Sequence, residues 1–169
     1  MRFALGLAVP LAAALLQGTV APLIAVGGAR PLLPVLIAGC WAVAAGARQA
    51  VWWAFLSGIA TDLLSGGPLG AFALAFLPPV AAIGVREGGV GRSTPVVAAA
   101  LLVGLAALAA GLLYLGIVAM TGQAIPSVPL AAGAAVAGAI YTGVLALAIY
   151  PGARLLRRVT ERQGALGVW

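Results

Sequence analysis

The sequence predicts an all-α integral membrane protein of six transmembrane helices, with both termini in the cytoplasm. Three observations predict this. First, 64% of the 169 residues are hydrophobic and only 7% are charged, and the mean hydropathy is +1.19. A soluble domain carries about 25% charged residues, so this chain lacks the polar groups to cover a water-facing surface. Second, the apolar runs are long and continuous, not the alternating strands of about ten residues that build a membrane barrel. Only helices satisfy their own backbone in lipid over such runs, and the length allows about six spans of roughly 20 residues. Third, all nine basic residues are arginines that fall between the runs. With the N-terminus inside, six crossings place Arg2, Arg48, Arg86, Arg92, Arg154, Arg157, Arg158 and Arg162 on the inner side and only Arg30 outside. Were the fourth segment not to cross, only Arg2 and Arg48 would remain inside. The positive-inside rule selects the six-span arrangement. The net charge of +6 thus sets topology and does not mark a nucleic-acid surface.

The elements follow in order. Segment one, 3–26, begins like a secretory signal. Its best cleavage site, Thr19-Val20-Ala21, is followed by Pro22 and further apolar residues, so a retained span is expected. Gly27-Gly28-Ala29-Arg30 forms a turn, and Pro31 suits the first position of the next helix. Segment two covers 32–47. Segment three covers 50–65, with Trp52 and Trp53 placed as interfacial aromatics. Ser57, Thr61 and Ser65 recur every four residues, as do Gly58, Asp62 and Gly66. On a helix these rows form one narrow polar face, suited to packing against protein. Gly66-Gly67-Pro68 ends the helix.

Segment four, 69–85, holds Pro78-Pro79 and is expected to kink or break there. The loop Arg86–Thr94 follows, with Gly88–Gly91 read as flexible chain and not as a phosphate loop, since no Lys-Ser/Thr follows it. Segment five covers 95–120 and segment six 128–150. In segment six, Gly133, Ala134, Ala137, Gly138 and Thr142 make a small-residue face for close helix packing. Pro151 and Gly152 are expected to stop that helix. The chain thus divides into a six-helix membrane domain, 1–152, and a cytoplasmic amphipathic basic tail, 153–169. In the tail Arg154, Arg157, Arg158 and Glu161 share one side, which suits anionic lipid or a docking partner.

Asp62 is the one acid inside an apolar run, where an ionised carboxylate costs a few kcal/mol unless it faces protein or water. Three readings stay open. It caps the start of segment four through backbone N–H groups near Leu69 and Gly70. It pairs with Arg30, the one arginine on the outer side. Or it contacts a proton or a ligand. Catalytic residues are not expected. The chain has no histidine, its three acids, Asp62, Glu87 and Glu161, are dispersed, and Ser57 and Ser65 lack a candidate base. The single Cys40 forms no intrachain disulfide and no cysteine metal cluster. No cofactor or metal is expected, and Tyr114, Tyr141 and Thr142 are read as helix-to-helix hydrogen-bonding groups.

The run Phe55–Phe76 resembles the signature of the bacterial rod shape-determining protein MreD family. Gly58, Asp62, Gly67, Pro68, Leu69 and Gly70 match it residue by residue, and Gly66 lies within it. The resemblance implies a multi-pass protein of the bacterial cytoplasmic membrane in the lateral-wall elongation complex. It implies a non-catalytic scaffold or regulator of cell shape, with an MreC-type membrane protein and a RodA-type glycan polymerase and its transpeptidase as partners, and MreB filaments at one remove. It also implies a fold similar to the substrate-binding subunits of energy-coupling-factor vitamin transporters. That kinship supplies the alternative function, a small-molecule binding subunit of a membrane transporter. Such a subunit needs a pocket with several polar groups, and the turns at 65–70 and 121–127 carry few.

Overall fold

A computed structural model describes residues 2–87, 94–123 and 127–165. The expected Gly88–Gly91 loop, Arg92 and the last residues of the tail lie outside the described residues, as do the side chains of Glu161 and Arg162. Six helices follow one another: α1 Arg2–Thr19, α2 Leu33–Ala45, α3 Ala47–Ser65, α4 Ala71–Glu87, α5 Val96–Met120 and α6 Val128–Ala165.

The organising element is α2. Every residue of it except Ile37 and Ala45 is buried, and it packs against each of the other five helices. A helix that is apolar on all sides belongs inside a protein. At 13 residues it spans about 20 Å, short of the hydrocarbon thickness of about 30 Å, but its burial means that lipid does not set its length. Around it run α1, α3, α4, α5 and α6, each touching the next. The ring stays open between α1 and α6, which make no contact among the described residues.

A buried helix cannot leave its terminal N–H and C=O groups to water. Here neighbouring helices supply the partners of α2. At its start the Leu33 N–H donates to Gln17 Oε1 of α1 at 2.7 Å, and the Leu32 N–H donates to Thr142 Oγ1 of α6 at 3.0 Å. At its end Arg157 of α6 donates to the Ala44 carbonyl, where a cation also suits the helix dipole.

Two antiparallel hairpins complete the ring. In α3–α4 the backbones touch where glycine removes the side chain. A Cβ on Gly58 would lie 2.4 Å from Ala73 Cα, and one on Gly84 would lie 2.4 Å from Ala47 Cα. In α5–α6, Gly104 lies against Gly143, and Gly111 against Ala135.

Several boundaries differ from the sequence reading. Segment one ends at Thr19, and the chain then turns at Val26–Ala29, where two positive-φ glycines, Gly27 and Gly28, close a tight pair of backbone bonds. Helix α3 starts earlier, at Ala47, and takes in Arg48. Pro78 and Pro79 do not break α4, which continues to Glu87. Pro151 and Gly152 do not stop α6, which runs on to Ala165. Proline removes one helical bond. On α6 that loss is offset by tertiary ties flanking it, Tyr150 Oη donating to the Thr94 carbonyl and Arg157 to Ala44.

Candidate functional site

The polar groups of the α3–α4 corner are drawn together by its backbone. Helix α3 closes with Gly66 in the left-handed region (φ +66°), and the chain turns through Gly70 at φ +91°, both conformations that favour glycine. The Ala71 N–H donates back to the Pro68 carbonyl, and α4 starts. Its first N–H groups point at Asp62. Gly70 donates to Oδ2 at 3.0 Å, Phe72 to Oδ1 at 2.9 Å and Ala73 to Oδ2 at 3.4 Å. Asp62 is 1% exposed, so this carboxylate completes the N-terminus of α4 from inside the bundle. Gly58, one turn earlier on the same face, lets α4 approach closely enough for those bonds to form. Leu69 points outward.

Of the three readings of Asp62, the capping arrangement is the one the geometry has. No ion pair joins Asp62 to Arg30. Arg30 is exposed, and its carbonyl lies 2.7 Å from where a Cβ on Gly138 of α6 would sit, while α3 and α6 do not touch. Two residues that each break the rule of their own type are thus satisfied separately.

The polar face of α3 packs against protein as expected over Ser57, Gly58, Thr61 and Asp62, and is exposed at Ser65. Ser57 Oγ donates to the carbonyls of Trp53 and Ala54, Thr61 Oγ1 to Ser57, and Ser65 Oγ to Asp62. These hydroxyls return to their own helix and do not bridge to a neighbour. Beside the corner, the Tyr114 ring stacks on Phe72 at 4.0 Å between centroids, and its hydroxyl reaches toward Gly67. Tyr114 therefore braces the corner. Tyr141 donates to the Ile24 carbonyl at 3.0 Å, and Thr142 holds Leu32, so these two do join elements. Trp53 is buried and packs on Trp41 at 5.0 Å, whereas Trp52 is exposed; only Trp52 fits an interfacial place.

The small-residue face of α6 divides in two. Gly138 and Thr142 are buried against the turn before α2, and Ala137 is half-buried. Gly133 and Ala134 are exposed. Contact with α5 instead uses Ala135, Ala139 and Gly143, one helical row over. The sequence reading also missed Gly84 and Gln17, and it gave Arg157 to lipid or a docking partner where the structure holds it at the Ala44 carbonyl. The glycine was legible as a small residue in an apolar run, but its partner Ala47 lies 37 positions away in the chain and on another helix.

Among the described residues, no three metal-ligating side chains lie close enough together to hold an ion. A groove between α5 and α6 is apolar. The Asp62 corner is thus an assembly of backbone and carboxylate whose hydrogen bonds are directed into the fold.

No curated protein and no solved structure matches this chain, so the likeness to vitamin-transporter subunits gains no support from comparison. The family model described as rod shape-determining protein MreD matches residues 1–158, nearly the whole chain and all of the Asp62 corner. This is a membrane protein involved in rod-shape determination, and it belongs to the MreD family.

Proposed function

We propose that this chain is a non-catalytic scaffold of the bacterial cell-wall elongation complex. It crosses the cytoplasmic membrane six times with both ends inside, and it works by holding membrane helices of an MreC-type protein and of a RodA-type polymerase with its transpeptidase. The observation that carries the reading is the use made of the buried Asp62. Asp62 gives both carboxylate oxygens to the start of α4, which leaves the transporter-subunit reading without the ligand-binding acid it relied on. The distribution of arginines and the antiparallel hairpins support six crossings.

Association in lipid rests on close packing and interhelical hydrogen bonds. Gly58 and Gly138 are already used inside the bundle, so bulky residues there act on folding before they act on partners. Gly133 and Ala134 are free on the surface of α6 and are the better test of partner contact. Purification in mild detergent, followed by mass spectrometry, should recover an MreC-like single-span protein with the wild type. Gly133→Leu with Ala134→Leu should lower that recovery while leaving the melting temperature near the wild-type value. Recovery of an ATPase module or a retained vitamin in place of the single-span protein would overturn the scaffold reading.

A further inference from the structure

The groove between α5 and α6 has a volume of about 370 Å³. Its floor is made by residues too small to fill it, Gly104, Ala139 and Gly143, and its walls by Leu101, Ile140 and Val144, each more than half exposed. On α6 it extends from Val136 to Leu147, about 16 Å at 1.5 Å per residue. That is about half of a hydrocarbon core of roughly 30 Å, the depth of one leaflet.

The groove does not end neutrally. Ile140, Leu147 and Arg154 are spaced by seven residues, and so are Val144, Pro151 and Arg158. Because α6 continues unbroken past Pro151, both arginines lie on the face that lines the groove. Side chains on a helix lean toward its N-terminus, which brings these two back toward the groove's end. Arg157 is instead engaged within the fold, donating to the Ala44 carbonyl. The Arg154 guanidinium rests 5.8 Å from the centroid of the Tyr150 ring, and the Tyr150 hydroxyl is held by Thr94 just before α5. Helix α5 also begins at this end, where the positive pole of its dipole adds to the same field.

We propose that this is a binding site for one anionic phospholipid of the leaflet on the arginine side. An acyl chain lies between α5 and α6, and the phosphate is held by Arg154 and Arg158. An apolar slot one leaflet deep, with two cations on the same helix face about 10 and 16 Å beyond its last lining residue at 1.5 Å per residue, fits the two chemistries of that molecule. An apolar membrane helix of a partner would fill the slot but would bring no anion to Arg154 and Arg158. This inference stands apart from the scaffold reading and does not require it.

The test uses the full chain in vesicles of equal parts dioleoyl phosphatidylglycerol and dioleoyl phosphatidylcholine, with retained lipid counted by native mass spectrometry. The wild type should retain one phosphatidylglycerol per chain in preference to phosphatidylcholine. Arg154→Gln with Arg158→Gln, the first half-buried and the second exposed, should reduce that preference about tenfold. Val144→Trp, or Leu101→Trp on the opposite wall should the first not fold, should reduce retention of both lipids. Unchanged phosphatidylglycerol preference in the arginine variant, unchanged retention in a folded tryptophan variant, or a co-purified protein segment shielding Leu101 and Ile140 in place of lipid would each overturn the proposal.

Discussion

Replacing Asp62 by alanine would leave the N–H groups of Gly70, Phe72 and Ala73 without their acceptor in a buried corner. Loss of an N-cap costs about 0.5–2 kcal/mol, and a buried donor left unpaired costs about 1–3 kcal/mol. Asparagine keeps one carbonyl oxygen and restores part of the arrangement. Thermal unfolding in detergent should therefore rank wild type above Asp62→Asn and Asp62→Ala lowest. Arg30→Ala, which removes no partner of Asp62, should stay close to wild type. Equal loss in the Arg30 and Asp62 variants would restore the ion-pair reading. The residue chemistry here was legible in part. An acid in an apolar run must be satisfied, and the run Gly66–Gly70 places a helix start within reach of it. Whether the partner is an arginine or a row of amides depends on how α3 and α4 approach each other, which Gly58 decides through Ala73, fifteen residues further along the chain.

At the scale of elements, glycine placement separates contacts that fold the bundle from surface that does not. Gly58→Ala and Gly84→Ala each push a methyl into backbone 2.4 Å away, and such overpacking costs about 1–3 kcal/mol. Gly133→Ala meets nothing within 4 Å and should stay within about 1 kcal/mol of wild type, where helix propensity is the main term. Parallel thermal melts of the three variants decide it, and a Gly133 variant as unstable as the other two would refute the division. The number and order of helices were readable because hydrophobic runs and Gly-Pro breaks are local signals. The continuation of α6 through Pro151 was not. A proline forfeits one local bond, while Tyr150 and Arg157 reach Thr94 and Ala44, 56 and 113 positions away in the chain, and no local pattern reports those ties. The end caps of α2 were hidden for the same reason. Gln17→Leu should strand the Leu33 N–H and lower stability by about 1–3 kcal/mol, measured in the same melts.

For the whole molecule, burial of α2 and the arginine distribution make one argument. The proposed six crossings set the other five helices around the largely buried α2 and require their connections to alternate between the two faces of the membrane. Ser127 in the turn before α6 and Arg158 near its other end lie at opposite ends of one continuous helix, so they must emerge on opposite sides if α6 crosses. The only native thiol, Cys40, is fully buried in α2 and should stay silent toward a membrane-impermeant maleimide, so single cysteines can be introduced without removing it. Ser127→Cys should then label in intact spheroplasts. Arg158→Cys should label only after the membrane is opened, because the proposed topology puts eight of the nine arginines on the cytoplasmic side. Labelling of both positions from outside would mean that α6 lies along the membrane surface. The reverse pattern would place the arginine-rich end in the periplasm, and the proposed lipid site would then draw on the outer leaflet.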